Sequence, residues 1–383
     1  MKGSNRIDDK QLIDQVESLL KNEFDAHDEF NQALNGADPV SIPSLDHDHD
    51  GYQFETSELL FFADRDAYYN EREIWDNASI ADAHKDSIDA IKKYDQLPIF
   101  KELVDAIVRR RVAPFIGAGM SFACGYPMWG AALSELKGRV EGVDEAAFQK
   151  ALDEYDYLEA AQLLWDKDDT QLKNFIRTKF SDGRLPDGNV TGPVLRLPHI
   201  CHGCVITTNF DHVIETAFKK SGREPFEGYM HGVQAGNKFV PKLIKGDRCI
   251  LKLHGDAEDH DSYIFTKKQY DDAYGDPFDF TNPLPRALRQ IFVSHSLLFL
   301  GCSLETDKTL ELFTHVCEQG DFEIPNHFAI LPEPSGGGET KAQIETRLLK
   351  LKIHPIWFPN GDFHLVEAYL SLLIDASTKR IRV

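Results

Sequence analysis

Residues 112–129 read V-A-P-F-I-G-A-G-M-S-F-A-C-G-Y-P-M-W, and they are the strongest indication of the fold class. The apolar run at 112–116 leads into a turn with glycine at positions 117 and 119, and Pro127 opens a segment of helical character. A strand, a glycine turn and a helix suit a nucleotide phosphate, because glycines permit close backbone approach and helix N-termini favour negative charge. The dinucleotide fingerprint of dehydrogenases has a third glycine where this chain has Phe122. A hydride-transferring dehydrogenase is therefore not the first expectation.

Further short apolar runs follow, separated by helical or loop-like sequence. They cover residues 205–206, 250–253, 297–300, 328–331 and 356–358. This alternation predicts parallel strands joined by crossovers, which is an α/β doubly wound fold with a mainly parallel sheet. A helical insertion is expected at 144–195, and an acidic helical extension at 1–97 is expected to precede the α/β domain at 98–383.

The charge of the chain is strongly negative and uneven. The net charge is −21, and residues 1–100 hold 23 Asp and Glu against 9 Lys and Arg. An acidic surface repels phosphate backbones, so direct nucleic-acid binding is not expected. Residues 1–10 lack an apolar signal core and no run has the length of a membrane span, so a cytoplasmic protein without a membrane segment is expected. The six cysteines are expected to be reduced thiols.

Two motifs raise the question of a metal ion. Asp46, Asp48 and Asp50 match the first half of a calcium-binding loop, but the twelfth position holds Ser57 instead of glutamate. A solvated acidic loop is the favoured interpretation, with metal binding left open. The C-H-G-C sequence at 201–204 has no second pair of ligands at useful spacing, so buried thiols are expected there. No bound metal is predicted.

The residues that follow four of the predicted strands carry the chemistry, since open α/β sheets bind ligands at the carboxyl ends of strands. These residues read G-A-G-M-S at 117–121, T-T-N-F-D at 207–211, H-G-D at 254–256 and G-C-S-L at 301–304. Asn209 and Asp211 would also suit a helix N-terminus, and His254 a turn. Their joint placement at strand ends favours a binding site for a ribose-bearing dinucleotide.

In this order, G-A-G-M-S with Pro127 and Trp129 downstream, T-T-N-F-D, L-H-G and G-C-S-L resemble the NAD-binding core of the sirtuin family. The resemblance covers about residues 100–375, and it is closer to the bacterial sirtuin-like NADases of anti-phage defence. It implies a Rossmann-like core with NAD as the substrate. Deacylating sirtuins carry Asp-Phe-Arg where this chain has Met-Trp-Gly at 128–130, and they carry two cysteine pairs for zinc after the histidine. Here only Cys302 and Cys317 follow His254.

The resemblance also implies a role for individual residues. Asn209, His254 and Asp211 would be catalytic, with His254 as the general base. The NAD-binding residues would be Gly117, Ala118, Gly119, Met120, Ser121, Pro127, Trp129, Thr208, Gly301, Cys302 and Ser303.

The chemistry of NAD cleavage fits this set of residues. Nicotinamide leaves from a cationic pyridinium as a neutral molecule, so the enzyme needs a site for the oxocarbenium-like ribosyl group and a positioned water. Asn209 would orient the water or a ribose hydroxyl, and His254, with a pKa near neutral, would take a proton. Hydrolysis of NAD to nicotinamide and ADP-ribose is the expected activity. The alternatives are an NAD-dependent protein deacylase and a catalytically silent subunit that senses NAD or ADP-ribose.

An uncontrolled NAD hydrolase would exhaust the cofactor of its own cell, so control through assembly is expected. The extension has apolar residues at spacings of three and four from Ile7 to Phe24. Exposed amphipathic helices commonly find a partner surface, so a homo-oligomer is expected. By resemblance, the separate partner would be a HerA-type ring ATPase. The alternative is that the extension packs across its own core.

Overall fold

The computed structural model describes residues 9–36, 38–44, 51–181, 183, 185, 189–223, 226–232, 239–304, 308–335 and 338–383. The chain divides into two compact units, Met1–Ala83 and His84–Val383. The acidic loop at Asp46, Asp48 and Asp50 lies outside the described residues. No helix among the described residues is both long enough and apolar enough to cross a bilayer.

The first unit consists of helices and one β-hairpin. Its helices are α1 (Asp9–Asp25), α2 (Asp28–Leu34), α3 (Thr56–Ala63) and α4 (Arg65–Ala83). Strands β1 (Val40–Ile42) and β2 (Tyr52–Phe54) pair antiparallel, in a stretch whose sequence is typical of a loop. Both strands are exposed, so their sequences contain no buried apolar run from which a strand could be predicted. Phe30, Phe61 and Tyr68 form the small core of this unit.

The second unit contains a parallel seven-stranded sheet, which confirms the predicted fold class. Its strand order is β5-β6-β4-β3-β7-β8-β9. The strands are β3 (Val112–Ile116), β4 (Cys204–Thr207), β5 (Gly228–His231), β6 (Cys249–Lys252), β7 (Ser296–Leu300), β8 (His327–Pro332) and β9 (Ile353–Phe358). The six predicted strands are all present. Sequence reasoning misses β5 because its residues have no continuous apolar run, with Tyr229 exposed at the end of the sheet.

Helices cover the sheet and fill the predicted insertion. They are α5 (Lys85–Lys93), α6 (Leu97–Val108), α7 (Trp129–Lys137), α8 (Glu145–Asp153), α9 (Tyr157–Trp165), α10 (Asp169–Phe180), α11 (Leu197–Ile200), α12 (Val213–Lys220), α13 (Phe239–Lys245), α14 (Lys267–Tyr274), α15 (Pro283–Ser294), α16 (Lys308–Gln319), α17 (Lys341–Leu349) and α18 (His364–Ser377). The insertion between β3 and β4 includes α8, α9 and α10. Helices α5 and α6 contact β9 and α18 and belong to the second unit, whereas the predicted extension at 1–97 included α5.

Strand β3 lies at the centre of the sheet, where the order of the strands reverses. All five of its residues are buried. The chain continues from β3 to β4 on one side, and it later returns to β7 on the other side. Pro114 is tolerated there, since β3 pairs with β4 only from Phe115 onward. The carboxyl ends of strands beside such a reversal form the crevice in which doubly wound folds bind ligands.

Candidate active site at the carboxyl ends of the central strands

The glycine turn after β3 is packed directly against the residue that follows β7. Gly117 N donates to Leu300 O at 2.9 Å, and Gly119 N donates to Gly301 O at 3.1 Å. A Cβ on Gly117 would collide with Gly301 O. A Cβ on Gly301, whose φ is +68°, would lie 2.6 Å from Met120 N. The glycines therefore allow two backbone segments to meet where a side chain would not fit.

The amides of this turn are used within the chain. Besides the two glycine amides, Met120 N donates to Gly117 O and Ser121 N donates to Ala118 O, both at 3.1 Å. Short 3-10 turns occupy 118–120 and 122–124, and α7 begins only at Trp129. The sequence pattern predicts free amides at a helix N-terminus. The structure differs for four of them, because Met120 N and Ser121 N are bonded within the first 3-10 turn and the two glycine amides donate to carbonyl oxygens at the end of β7.

Asn209 follows β4 and is held in place by three hydrogen bonds. Its backbone N donates to Thr207 Oγ1 at 3.0 Å, while its Nδ2 donates to Gly117 O at 3.1 Å and to Ser121 Oγ at 3.0 Å. Asn209 is 3% exposed, yet its Oδ1 has no hydrogen-bond partner within the described residues. Buried polar atoms are nearly always paired, so this oxygen marks a position suited to a ligand or a water.

Asp211 is buried beside Asn209 and shares its hydroxyl partner. Asp211 Oδ1 accepts from Val213 N at 3.0 Å at the start of α12, and its carboxyl is hydrogen-bonded to Ser121. Burial raises the pKa of Asp211, against the opposing effects of the Val213 amide and the positive charge of Lys252. Ser121 thus links the amide of Asn209 to the carboxyl of Asp211.

His254 follows β6 and lies among aromatic rings. Its ring centroid is 5.4 Å from that of Trp129 and 6.0 Å from that of Phe210. Its Nε2 is hydrogen-bonded with the hydroxyl of Tyr270, and its Nδ1 is buried without a partner in the described part of the chain. Burial lowers the pKa of His254 to about 3. The expected near-neutral pKa is therefore wrong for this conformation, since the apolar surroundings disfavour the charged imidazole.

A cleft of about 230 Å³ opens beside these groups. Its lining combines polar atoms from the strand ends with the rings of Tyr126, Trp129, Phe180 and Phe210. The lining residues are Ala118, Ser121, Tyr126, Pro127, Trp129, Phe180, Asn209, Phe210 and Asp211.

The other predicted NAD-binding residues lie around this cleft without lining it. Gly117, Gly119, Met120 and Gly301 form the backbone contact between the ends of β3 and β7. Thr208 N donates to Ile116 O at 3.0 Å and fixes the turn after β4. Cys302 is half-buried, with Sγ 3.7 Å from Phe115 O, and Ser303 beside it is exposed. The structure therefore brings these residues to one edge of the sheet. It places His254 against two lining rings but outside the lining itself.

A cluster of four charged side chains contacts the 209–211 loop through its backbone. Lys252 Nζ lies 2.8 Å from Asp211 O and 2.9 Å from a carboxylate oxygen of both Asp256 and Glu215. His212 Nε2 lies 2.7 Å from Asp256 Oδ2. Burial lowers the pKa of His212, but the hydrogen bond to Asp256 and the negative charges of Glu215 and Asp256 together outweigh it and raise the pKa to about 9. We call Lys252, Asp256, Glu215 and His212 the charged cluster.

The charged cluster has the ligand types of a metal site but already contains a cation. Ligand atoms of His212, Glu215 and Asp256 lie within 4.8 Å of one another. The ammonium of Lys252, which is fully buried, lies between the two carboxylates. Two cationic and two anionic side chains therefore neutralise one another there.

At the C-H-G-C sequence, Cys201 and Cys204 are buried, and burial raises the pKa of Cys201 to about 12.

Sequence reasoning missed several residues of this region. Lys252 interrupts the apolar β6 sequence C-I-L-K, and a lysine inside a buried strand is a signal that could have been used. Tyr270 belongs to α14, and Phe180 ends α10 in the helical insertion. Nothing in the spacing of Tyr270 and Phe180 relates them to the strand ends, so only the tertiary structure reveals their positions.

Comparison with known proteins agrees with this architecture. The model of the SIR2-like domain family matches residues 203–356. The chain is 26% identical to the NAD(+) hydrolase ThsA of Bacillus cereus (strain MSX-D12) over 259 residues, which is 66% of this chain and 50% of that protein. It is 27% identical to the ThsA of Cytobacillus dafuensis over 57% of this chain and 40% of that protein.

A further relative is the defense-associated sirtuin 2 of Bacillus subtilis. It is 23% identical to this chain over 285 residues, or 73% of this chain and 27% of the relative. The chain thus spans about half or less of the length of the curated relatives it matches. Residues 203–356 match the SIR2-like domain family, and the predicted likeness of the chain to bacterial NAD(+) hydrolases and to a defense-associated sirtuin is confirmed.

Proposed function

We propose that this chain hydrolyses NAD+ to nicotinamide and ADP-ribose. The observation that carries the proposal is the pair of buried, unpartnered polar atoms among the described residues at the central strand ends, Asn209 Oδ1 and His254 Nδ1. The relatives named as NAD(+) hydrolases support the same reaction. Leaving such atoms unpaired costs about 1 to 3 kcal/mol each, so their retention points to a bound substrate or water.

The residues of the cleft suit the chemistry of the nicotinamide–ribose bond. Because the pyridinium leaves as neutral nicotinamide, no proton needs to be given to the leaving group. Asn209 Oδ1 accepts a hydrogen bond from the attacking water or from a ribose hydroxyl. The carboxyl of Asp211, when ionised, stabilises the positive charge that develops on the ribosyl group.

His254 contributes to this reaction as a neutral imidazole. With its pKa lowered to about 3 by burial, it does not carry a proton at neutral pH in this conformation. Nδ1 is therefore available for hydrogen bonding, and the Tyr270 hydroxyl fixes the ring through Nε2. Entry of water and substrate beside His254 would reduce its desolvation and raise its basicity, which is the change that proton transfer requires.

The aromatic lining accounts for the exclusion of bulk water. Trp129 lies within 5.1 to 6.0 Å of the rings of Phe265, His254, Phe210 and Phe180. Flat apolar surfaces accept a pyridinium ring by stacking and by cation–π attraction. The same surfaces lower the local dielectric constant and strengthen the electrostatic effect of Asp211.

The test is incubation of the purified chain with NAD+ alone, followed by chromatography of the products. Nicotinamide and ADP-ribose in equal amounts, absent in Asn209→Ala, are the expected result. Turnover that requires an acylated peptide would instead identify a deacylase. Binding of NAD+ without turnover would identify a sensor subunit.

We further propose that this activity serves anti-phage defence in the cytoplasm by depleting NAD, as an abortive-infection effector. The likeness to a defense-associated sirtuin supports this role. Cells that express the chain should lose NAD after infection by a phage to which they respond, whereas cells that express Asn209→Ala should not. Unchanged NAD in both cell lines, with phage growth unaffected, would contradict the proposal.

We also propose that the chain works as a homo-oligomer joined through α1. On this helix Leu12, Ile13, Val16 and Leu19 are 46 to 68% exposed. Their spacing of one, three and three residues places them on one helical face, and such an apolar face is stabilised by burial against another chain.

Light scattering tests this assembly on the full chain. Leu12→Glu with Leu19→Glu should dissociate the oligomer, while Gln11→Glu with Ser18→Glu, which alters the other face of α1, should not. A monomeric wild-type chain would overturn the proposal. A HerA-type ring ATPase is the proposed separate partner, and a mixture of the two proteins should scatter as a larger complex that the Leu12 and Leu19 substitutions abolish.

A further inference from the structure

Lys252 occupies an unusual position for a lysine. It is 0% exposed and lies in β6, in register with Thr207 of β4 on one side and His231 of β5 on the other. Fully buried lysines are rare, because burial of an ammonium group is costly unless it is paired and hydrogen-bonded. The surroundings of Nζ therefore indicate what this cation does.

Four oxygen atoms surround the ammonium group of Lys252. Two are carboxylate oxygens, of Asp256 and Glu215, each at 2.9 Å. The other two are backbone carbonyl oxygens, Asp211 O at 2.8 Å and Phe210 O at 3.3 Å. Lys252 thus fixes the 209–211 loop through its main chain.

The partners of Lys252 join the two segments that carry the proposed catalytic groups. Asp256 lies two residues after His254, and Asp211 lies two residues after Asn209. Ala257 N also donates to Phe210 O at 3.1 Å. One buried cation therefore contacts both strand ends and, together with the Ala257–Phe210 backbone bond, holds Asn209 relative to His254.

We propose that Lys252 is a positioning residue that aligns the 209–211 loop with the 254–256 segment for NAD+ cleavage. The proposal rests on the proposed function for its kinetic test and on the backbone hydrogen bonds for its structural test. Lys252 does not line the cleft, so it acts through Asn209 and Asp211. A displacement of about 1 Å in a reacting group is enough to reduce a rate roughly 100-fold.

A balanced pair of substitutions separates positioning from loss of charge. Lys252→Met alone would leave Asp256 and Glu215 buried with only His212 as counter-charge. Lys252→Met with Glu215→Gln leaves one anion and one cation, Asp256 and His212, so buried charge stays balanced. Glu215→Gln alone is the matched control, because it keeps the bonds of Lys252 to Phe210 O and Asp211 O.

In the double variant kcat should fall by roughly 10- to 100-fold while KM for NAD+ stays close to the wild-type value. Glu215→Gln should keep the wild-type kcat. A wild-type kcat in the double variant overturns the proposal. So does a double variant that fails to fold while Glu215→Gln folds, since Lys252 would then serve the stability of the domain.

Hydrogen exchange provides a readout that does not depend on NAD+ turnover. The double variant should show faster exchange in peptides that cover residues 207–213, with the rest of the sheet unchanged. Faster exchange across the whole sheet, or an unchanged exchange rate at 207–213, would contradict the positioning role of Lys252 even if the chain had no hydrolase activity. Absence of turnover in the wild-type chain, together with the localised exchange, would instead contradict only the proposed function.

Discussion

Two groups of polar side chains lie at the 209–211 loop, and they differ in how their polar atoms are paired. In the cleft region, Asn209 Oδ1 and His254 Nδ1 are buried without partners among the described residues. In the charged cluster, Lys252 has four oxygen neighbours and the formal charges cancel, and of its carboxylate oxygens only Glu215 Oε2 is buried without a partner among the described residues. Unpaired buried atoms cost stability and are retained where a ligand uses them, whereas paired charges define a geometry. The difference supports the proposals that the chemistry takes place in the cleft and that Lys252 aligns the loop.

The largest effect is expected from the cleft. His254→Ala and Asn209→Ala should each lower NAD+ hydrolysis by roughly 10²- to 10⁴-fold, because each removes a group that contacts the reacting atoms. Asn209→Ala should also lower the free energy of unfolding by roughly 1 to 3 kcal/mol, because it removes the buried hydrogen bonds to Gly117 O and Ser121 Oγ. Activity assays and urea unfolding measure the two quantities. Asn326→Ala, which removes a surface amide, is the control. Wild-type turnover in either folded variant would show that the site is misassigned.

In the charged cluster, the main effect of a substitution is expected on the free energy of unfolding. Asp256→Asn should lower the free energy of unfolding by about 3 kcal/mol, because it leaves Lys252 and His212 as buried cations with one anion. Asp261→Asn is the matched control, since the Asp261 side chain is 82% exposed and should change stability very little. Equal unfolding midpoints for both variants would contradict the difference drawn between the two groups.

The arrangement of the sheet could be predicted from the sequence, because six of its strands are short apolar runs with glycine or polar residues at their ends. The order of these motifs was enough to indicate a sirtuin-like core. The edge strand β5 and the exposed hairpin of β1 and β2 could not be predicted, since exposed strands carry no apolar run. In both cases the strand forms through pairing with a neighbouring strand, although its own sequence lacks the apolar pattern of a buried strand.

The site was predicted where its residues follow strands directly and missed where tertiary structure supplies them. Asn209, Asp211 and His254 follow β4 and β6, so the rule for open α/β sheets located them. Tyr270 and Phe180 come from distant helices. The pKa of His254 could not be predicted either, because it depends on burial among Trp129, Phe210 and Tyr270.

The glycine contact beneath the cleft offers a test of the backbone arrangement. Gly301→Ala should lower the free energy of unfolding by about 2 kcal/mol or more, because a Cβ would meet Met120 N at 2.6 Å and φ is +68°. Gly320 has the same φ, but a Cβ placed there would meet no described atom within 4 Å, so Gly320→Ala measures the cost of φ alone. Equal losses in the two variants would show that the close approach contributes nothing.

The two groups should also differ in their pH dependence. The pKa of His254 is lowered to about 3, so its contribution to stability is present above about 6.5 and is lost as pH falls toward 3. The pKa of His212 is raised to about 9, so its contribution is full below about 6.5 and is lost as pH rises through 9. At about 1.4 kcal/mol for each pKa unit, these intervals correspond to changes of at most several kcal/mol.

Thermal unfolding across pH, with two histidine variants, measures this difference. His254→Gln should flatten the acidic side of the stability profile, and His212→Gln should flatten the alkaline side. A wild-type alkaline slope in His212→Gln would show that the ion pair with Asp256 does not determine it.

The smallest effect is expected from removal of metal ions. His212, Glu215 and Asp256 provide suitable ligand atoms, but the ammonium of Lys252 lies 2.9 Å from both carboxylates and neutralises them. A divalent cation would have to displace a buried, hydrogen-bonded lysine, so chelators should change neither the melting temperature nor NAD+ turnover. Elemental analysis should find no stoichiometric zinc, since this chain lacks the two cysteine pairs of the sirtuin zinc site. Lys252→Met provides a second test, because it removes the ammonium between the carboxylates. Added Zn²⁺ should then stabilise that variant but not the wild type. One tightly bound metal per wild-type chain, with activity lost on chelation, would show that the cluster is a metal centre and that the lysine assignment is wrong.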